Sequence, residues 1–212
     1  DRTINTKQYE SRSSNSFIDC SVRENYLFNS KINGIEDSDF ILLVGTNPRL
    51  EATILNARIR KAYLKNKLKI YAIGDAGDLT YPYQMIGSST SVIKEIISGT
   101  HTISNKIKKA KKPIVIIGDS ALYGKSGKYV FETLKNFLFN NNFIRKDWNA
   151  LNILTQQASR VGAIDCGVYS INEDENFSFF NKLDNDKFKL IYLLGADNID
   201  FDKRDKFIVY QG

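Results

Sequence analysis

Two glycine-ended turns hold the residues whose types and spacing could bind a phosphate. In the first, "GTNPR", Gly45 ends an apolar run and is followed by Thr46, Asn47, Pro48 and Arg49. Backbone N–H groups at the start of a helix attract anions, so this turn could hold a ligand. It lacks the GxGxxG spacing of a dinucleotide site. The residues by themselves therefore leave two interpretations open, an anion-binding turn and a plain strand-to-helix turn.

The second turn, "GDSALYGKS" at residues 118–126, has the appearance of a phosphate-binding Walker loop. That loop has four residues between its first glycine and the GK[ST] triplet, whereas five residues, 119–123, separate Gly118 from Gly124 here. The extra residue changes the ring of amides that must close around the phosphate, and Asp119 adds a negative charge beside it. We therefore expect no nucleotide here and interpret Lys125 as a surface lysine.

Three aspartates and a single histidine are the other candidates for chemistry. Asp75, Asp119 and Asp197 each come within two residues after a strand-ending glycine. Aspartate is common there because its short side chain tolerates turn geometry, which favours a turn role over catalysis. His101 lies in "SGTHTIS" without a Ser, Cys or Asp partner that a motif identifies, and the chain contains no GxSxG or HExxH signature. The sequence therefore predicts no catalytic residue.

Cysteine usage argues against a metal centre. The two cysteines, Cys20 and Cys166, are far apart and form no CxxC pair. Together with one histidine they do not make a zinc or iron–sulfur ligand set. Two isolated thiols in a chain of this size are typical of a reducing compartment. We interpret both as structural and expect no metal ligand.

Five short apolar runs predict the strands that position these turns. Each run is continuous rather than alternating, as in strands covered on both faces, and the runs occupy residues 40–45, 69–74, 113–118, 190–195 and 207–210. Helical patterns fill the intervals at residues 48–66, 89–98, 104–111, 128–140 and 147–159. Strand and helix in alternation favour right-handed crossovers and a parallel sheet. The predicted fold is α/β, a three-layer αβα sandwich with a mainly parallel, Rossmann-like sheet.

The first of these helices has a clear start. Asn47 can cap it, and Pro48 occupies the first helical position, where its missing N–H costs nothing. An apolar stripe at helical spacing then predicts the side that lies on the sheet, and its members are Leu50, Ile54, Ala57 and Leu64.

Composition and charge limit the classes of protein to which this chain can belong. The chain has 212 residues, is 42% hydrophobic and 25% charged, and contains neither an apolar run of about 18 residues nor a signal peptide. Its net charge of +6 includes the run "NKIKKAKKP", which ends a helix and has no interleaved aromatic residues for base stacking. We therefore expect no nucleic-acid partner.

The domain organisation follows from the same composition. Residues 1–20 are polar and rich in Ser and Asn, which predicts a lead-in, and residues 21–212 form a single predicted α/β domain. The chain begins without Met and ends in "FIVYQG", a strand leaving the sheet. We therefore expect a piece of a longer protein whose domain is truncated at the C-terminus.

Longer stretches resemble one known family. Residues 25–74, "NYLFNSKINGIEDSDFILLVGTNPRLEATILNARIRKAYLKNKLKIYAIG", are similar to the large iron–sulfur subunit of NADH:quinone oxidoreductase, respiratory complex I. The likeness continues in "DLTYPYQMIGSS", "AKKPIVIIGDSAL", "DWNALNIL" and "LLGAD". It covers nearly everything after the lead-in and is strongest to the branch shared by α-proteobacteria and mitochondria.

The resemblance implies a domain like the molybdopterin-oxidoreductase domain of formate dehydrogenases. In those enzymes the turn that matches "GTNP" faces a pterin dinucleotide, and the next strand ends in a "DPR"-like sequence. Here that strand ends in Gly74, Asp75 and Ala76, with no arginine. The resemblance thus implies a vestigial, cofactor-free turn at residues 46–49. The family's 2Fe–2S and 4Fe–4S clusters are implied for an N-terminal part of the subunit outside this sequence.

The resemblance also implies a function. We expect a structural, non-catalytic domain that supports electron transfer from NADH to quinone through clusters elsewhere in the subunit. Its implied partners are the other peripheral-arm subunits of a membrane-associated complex, with no membrane insertion of its own. The complex would lie at the cytoplasmic face of a bacterial inner membrane or the matrix face of a mitochondrial one. The alternative is a nucleotide- or pterin-binding module that uses the Gly45 and Gly118 turns. A catalytic molybdoenzyme domain is disfavoured by the missing arginine and cysteines.

Overall fold

The computed structural model describes residues 8–11, 16–169, 183, 188–197, 199–201 and 203–212. The chain divides into two compact units, of which the larger is Phe17–Ala158 and the smaller combines Asp1–Ser16 with Ser159–Gly212. Each unit has its own cluster of buried apolar side chains. The single domain over residues 21–212 stays a prediction.

Five parallel strands form the sheet of the larger unit. They are β1 Phe40–Val44, β2 Lys69–Ile73, β3 Gln84–Gly87, β4 Pro113–Gly118 and β5 Leu151–Leu154. Their order across the sheet is β3-β2-β1-β4-β5, and every neighbouring pair is parallel. The central strands β1 and β4 are buried at every position, as continuous apolar runs predict. The α/β class with a parallel sheet is confirmed.

Helices connect these strands and flank the sheet. They are α1 Pro48–Glu51, α2 Thr53–Asn66, α3 Ser91–Ser98, α4 Ser104–Lys109, α5 Asp119–Leu122 and α6 Gly127–Asn140. Short 3₁₀ helices occur at Arg23–Asn25 and Asn33–Asp37. The connections from β1 to β2 and from β4 to β5 run in opposite directions across the sheet. The right-handed crossover rule therefore places α2 and α6 on opposite faces.

The helix after β1 faces the sheet with a side other than the predicted one. The predicted stripe is exposed at all four positions, Leu50, Ile54, Ala57 and Leu64. The buried side consists of Leu55, Asn56, Ile59 and Ala62. A break at Ala52, with φ −153° and ψ 72°, also separates α1 from α2. The predicted stripe was wrong because both sides of this helix carry apolar residues at helical spacing, so periodicity does not identify the buried side.

The predicted helix at residues 147–159 was also wrong, because this stretch contains strand β5. The polar residue Asn152 of β5 is fully buried. Because it interrupts the apolar run, the strand was not recognised from the sequence. The Asn152 side chain accepts a hydrogen bond from the Ser30 N–H at 2.8 Å and donates one to the Ser30 hydroxyl at 2.9 Å. Strand β3, which was not predicted, lies at the opposite edge of the sheet.

The segment before β1 covers the outer edge of β5. Phe28 forms an antiparallel bridge with Asn152, and the Ile153 N–H donates to the Leu27 carbonyl at 2.9 Å. The Asn29 side chain donates to the Leu151 carbonyl at 2.6 Å. An open edge strand leaves backbone groups unpaired, and these contacts satisfy part of that edge.

The described part of the smaller unit contains the helix α7 Arg160–Asp165 and the strands β6 Leu190–Leu194 and β7 Phe207–Gln211, which pair in parallel. One face of this pair packs around Ile191, Phe201 and Leu183. The other face is exposed at Leu190, Tyr192, Leu194 and Phe207. The prediction that these two runs are covered on both faces was therefore wrong for the described residues, because burial alternates along β6 as in a strand packed on one side.

Candidate functional site

The two glycine-ended turns that the sequence singles out lie side by side in the fold. The chain leaves β1 towards β2 on one side, and β4 lies on its other side. The carboxyl ends of β1 and β4 therefore flank the topological switch point, where open α/β sheets bind their ligands. Gly45 follows β1 and Gly118 ends β4, so both turns face this position.

The two turns pack against each other at the switch point. A Cβ atom on Gly118 would lie 2.4 Å from the Gly45 carbonyl oxygen and 2.6 Å from the Thr46 Cβ. The Ser120 hydroxyl donates a hydrogen bond to the same Gly45 carbonyl. Gly45 itself has φ +55°, a conformation that favours glycine. These glycines allow the two turns to pack backbone against backbone.

The donors of the first turn are occupied by side chains of the turn itself. The Glu51 carboxylate accepts hydrogen bonds from the Thr46 hydroxyl at 2.5 Å and from the Asn47 N–H at 3.0 Å. The Asn47 side chain caps α1 and accepts from the N–H groups of Arg49 at 3.1 Å and Leu50 at 3.2 Å. The groups that would bind an anion at a helix start therefore bind oxygen atoms of this chain.

Sequence reasoning identified the Asn47 cap and missed the role of Glu51. In a capping box the acidic residue stands three positions after the cap, which is position 50 here. Glu51 stands four positions after Asn47. The Glu51 carboxylate accepts from the Asn47 N–H, as the acidic residue of a capping box does. Because its spacing differs by one residue, the motif did not identify it.

Arg49 is bound to the loop that follows β2. Its guanidinium donates to the Asp78 carboxylate and, at 3.1 Å, to the Asp78 carbonyl. A hydrogen bond from the Thr80 N–H and the neighbouring Arg49 hold the pKa of Asp78 below its ordinary value. The same loop approaches the turn at Gly77, where a Cβ atom would lie 2.9 Å from the Asn47 side-chain nitrogen. The loop after β2 therefore packs on the first turn.

The three aspartates near strand ends accept hydrogen bonds from this chain. Asp75 accepts from the Gly77 N–H at 2.8 Å and from the Tyr83 hydroxyl at 3.0 Å, and these bonds lower the pKa of Asp75. Asp119 accepts from the Gln156 N–H at 3.2 Å, and Asp197 accepts from the Tyr210 hydroxyl. The bond from Gly77 to Asp75, two residues on, is the contact of a turn-forming carboxylate, whereas the partners of Asp119 and Asp197 lie 37 and 13 residues away.

A buried polar contact that no motif signals fixes the loop after β2 to α2. The Asn56 side chain donates to the Leu79 carbonyl at 3.0 Å and accepts from the Tyr81 hydroxyl at 2.7 Å. Burial raises the pKa of Tyr81 well above its ordinary value. The sequence shows only an asparagine within a helix, whose partners lie more than twenty residues away. The contact of Asn56 with Leu79 and Tyr81 could therefore be identified only from the fold.

The Walker-like stretch folds as a helical turn followed by a second turn. Its residues 119–122 are the helical turn α5, and Gly124, with φ +74°, begins the turn into α6. The N–H groups of a helical turn run along the helix axis and do not converge on a common centre. A Cβ atom on Gly127 would lie 2.0 Å from the Leu122 carbonyl oxygen, so this turn is also closely packed. Lys125 is exposed, which agrees with its interpretation as a surface lysine.

The histidine and the cysteines were the remaining candidates for chemistry. His101 accepts a hydrogen bond from the Ile103 N–H at 3.3 Å through Nδ1, just before α4. Cys20 is half-buried and Cys166 is exposed, and both are free thiols. Across the described part of the chain, no group of His, Cys, Asp and Glu side chains is arranged to hold a metal ion.

The lysine-rich run near α4 contacts aromatic rings of the larger unit. The Lys106 ammonium lies 5.5 Å from the centre of the Tyr71 ring, and the Lys112 ammonium lies 5.3 Å from the Trp148 ring. Lys112 also pairs with Asp37 at 3.3 Å. Part of the basic run is therefore used within the fold. In the residues that the structure describes, no helix has the length and apolar character needed to cross a lipid bilayer.

A family model accounts for nearly the whole chain. The model for molybdopterin oxidoreductase matches residues 2–212. The chain belongs to the molybdopterin oxidoreductase family. The five-stranded parallel sheet with flanking helices is consistent with a domain of this family.

Individual relatives are subunits of respiratory NADH oxidoreductases. The NADH-ubiquinone oxidoreductase 78 kDa subunit of Candida albicans is 40% identical over 195 residues, which cover 90% of this chain and 25% of that protein. An NADH-quinone oxidoreductase subunit of Rickettsia prowazekii is 38% identical over 211 residues, 99% of this chain and 30% of that protein. The iron-sulfur protein 1 of the potato (Solanum tuberosum) mitochondrial NADH dehydrogenase is 36% identical over 193 residues, 90% of this chain and 25% of that protein.

These comparisons confirm the resemblance that residues 25–74 first indicated. The chain spans between 25% and 30% of the length of these curated relatives. It therefore corresponds to one region of a much longer subunit.

Proposed function

We propose that this chain is the molybdopterin-oxidoreductase-like domain of the large iron–sulfur subunit of an NADH:quinone oxidoreductase, and that it serves that enzyme as a structural domain without a cofactor. The names of its relatives support this proposal. Electrons from NADH reach quinone through 2Fe–2S and 4Fe–4S clusters in another region of the subunit. The domain itself is not catalytic.

The closed switch point is the observation that carries the proposal. A pterin dinucleotide would need free donors for its diphosphate and open space at the carboxyl ends of β1 and β4. Glu51 and Asn47 occupy those donors, and Gly118 packs directly against Gly45 and Thr46. The carboxylate of Glu51 would also repel a diphosphate. The residues present do not fit this cofactor.

The proposed role of the former ligand turn is packing and docking. Thr46, Asn47, Pro48 and Arg49 hold α1 and the loop after β2 together. The partners are the other peripheral-arm subunits of the complex, and no nucleic acid is involved. The domain lies at the cytoplasmic face of a bacterial inner membrane, or at the matrix face in a mitochondrion, as part of the membrane-associated complex.

Ligand binding by the isolated chain separates this proposal from its alternative, a nucleotide- or pterin-binding module. Thermal unfolding is measured with NADH, ATP and a molybdopterin guanine dinucleotide, each at millimolar concentration. A ligand at about 100 times its Kd stabilises a protein by roughly 2.7 kcal/mol, whereas we expect no shift. An ATP shift that disappears in Lys125→Ala would support the Walker interpretation, and a shift with the pterin dinucleotide would contradict a cofactor-free domain.

Co-purification tests membership of the complex. A tagged full-length subunit that contains this chain is expressed in its own organism and recovered under mild detergent. We expect it to bring with it NADH:quinone oxidoreductase activity and the remaining peripheral-arm subunits. A subunit that is recovered folded but without that activity would contradict the proposed function.

A further inference from the structure

The outward side of α2 carries residues at the spacing of a helix-pairing seam. Ile54, Ala57, Lys61 and Leu64 follow one another at intervals of three and four residues, which is the a and d pattern of paired helices. All four are exposed, with Ile54 at 71% and Leu64 at 55% of their maximum. Single exposed apolar residues are ordinary, but here they line up along one helix.

A depression on this side has the residue spacing of a hole for a partner side chain. It is open, has a volume of about 550 Å³, and is lined by Ala57, Arg60, Lys61, Leu64 and Lys65. The first four stand at positions i, i+3, i+4 and i+7, the set that surrounds an inserted knob when helices pair. Ala57, at one corner of this set, has the smallest side chain of the four.

The residues that flank the seam are all basic. Arg58, Arg60, Lys65 and Lys67 occupy the positions that correspond to e and g of the heptad, which select the partner by charge. Glu36 pairs with Arg58 at 2.5 Å and with Lys61 of the seam at 2.9 Å. Among the residues that the structure describes, neither Arg60 nor Lys65 has a carboxylate within salt-bridge distance. Their charges are therefore available to a partner.

We propose that the outer face of α2, defined by Ile54, Ala57, Arg60, Lys61, Leu64 and Lys65, docks an acidic helix of a partner protein. An apolar side chain of that helix enters the hole around Ala57, and its carboxylates pair with Arg60 and Lys65. This inference rests on the proposed function in one respect, namely that the chain works inside a multisubunit complex.

Charge and shape argue against other occupants. A second copy of this chain bound through the same face would bring Arg60 and Lys65 against the equivalent cations of its partner, and like charges in contact oppose association. An anionic membrane would satisfy the cations but has no helical spacing to match that of Ile54, Ala57, Lys61 and Leu64. An acidic helix satisfies both the charges and the spacing.

Photo-crosslinking in the assembled complex identifies the occupant. A benzoylphenylalanine is introduced in place of Leu64 in the full-length subunit, the purified complex is irradiated, and the linked peptide is sequenced by mass spectrometry. We expect one helical segment of another subunit with Asp or Glu beside an apolar residue. A link to phospholipid, to another segment of the same subunit, to a second copy of the subunit or to a basic segment overturns the proposal, as does the absence of any link.

Charge reversal and filling of the hole give an independent measurement. This measurement uses the complex without crosslinking and follows the partner that the crosslink identified. Its retention during salt washing should fall at least about tenfold in the double variant Arg60→Glu with Lys65→Glu, and separately in Ala57→Leu. The first variant repels an acidic helix, and the second blocks the entry of its apolar side chain. Lys94→Glu, at an exposed lysine of α3, is the matched control and should leave retention unchanged. Equal loss with the control, or no loss with the variants, overturns the proposal.

Two controls keep this result separate from the proposed function. Thermal unfolding of each variant should match that of the unsubstituted protein, because the substituted side chains are exposed. If the unsubstituted subunit does not enter the complex, the proposed function fails. If it enters and the double charge-reversal variant enters and retains its partners equally well, only the docking inference fails.

Discussion

At the scale of single residues, the closure of the switch point depends on Gly118 and its contact with Gly45. Gly118 has φ −88°, which any residue adopts, so only the close approach requires glycine. A methyl group there would lie 2.4 Å from a carbonyl oxygen of the neighbouring turn. The packing of the two turns therefore requires this residue to be small.

We expect Gly118→Ala to lower the free energy of unfolding by about 3 kcal/mol through overpacking. Gly99→Ala is the comparison, because Gly99 has φ +87° but nothing within 4 Å of its Cβ position, so it should cost only about 1 kcal/mol. Urea denaturation of both variants measures the difference. A larger loss for Gly99→Ala would mean that the turns are not packed as described.

Glu36 makes the stability of the larger unit depend on pH. Lys61 and Arg58 donate hydrogen bonds to its carboxylate and lower the pKa of Glu36 below the ordinary 4.5. As the pH falls, Glu36 is therefore protonated in the unfolded chain before it is protonated in the folded chain. The stabilising contribution is fully present above pH 4.5 and is lost as the pH falls from that value through the pKa of the folded state.

The test compares urea unfolding of the unsubstituted protein with that of Glu36→Gln over a pH series. We expect a constant difference above pH 4.5 and a shrinking one below it. Lys61→Met removes the larger cause of the lowered pKa and should flatten the same dependence. A difference that grows on acidification would contradict the assignment.

At the scale of elements, the orientation of α2 decides which surface is core and which is free. Ile59 is fully buried and Ile54 is largely exposed, although both are isoleucines of one helix. We expect Ile59→Ala to cost about 2–5 kcal/mol, because it deletes buried methyl groups and leaves a cavity, and Ile54→Ala to cost less than about 1 kcal/mol. Chemical denaturation measures both, and the reverse order would show that α2 is rotated about its axis.

Edge strand β5 shows how one buried polar contact organises an element. Asn152 bonds to Ser30, and the segment that includes Ser30 also satisfies backbone groups of β5. A buried polar group without a partner costs free energy, so the strand and its cover depend on each other.

At the scale of the whole molecule, the larger unit contains a complete apolar core. Every residue of its main cluster lies between Phe17 and Ile153, and the unit is Phe17–Ala158. We expect this unit, expressed alone, to unfold cooperatively, and calorimetry of the whole chain to show a transition at the same temperature. If residues 17–158 do not fold and the whole chain has one transition, the single domain predicted over residues 21–212 is supported instead.

Local features of the sequence determined the sheet centre, the start of the first helix and the family. Strands β1, β2 and β4 are continuous apolar runs that end at or next to a glycine, a pattern that needs no partner to be recognised. The Asn47 cap and Pro48 at the first helical position are adjacent in the chain. The family resemblance rests on a long uninterrupted match, and the comparisons confirm it.

Only the tertiary structure decided which side of α2 is buried, that residues 151–154 form a strand, and that the turn after β1 packs against the end of β4. Both sides of α2 have apolar spacing, so the packing of the sheet selects Leu55 and Ile59 over Ile54. Asn152 suits a strand only because Ser30, 122 residues away, bonds to it. The approach of Gly118 to Gly45 depends on the pairing of β1 with β4, which no local pattern encodes, because closeness between distant segments is created by folding.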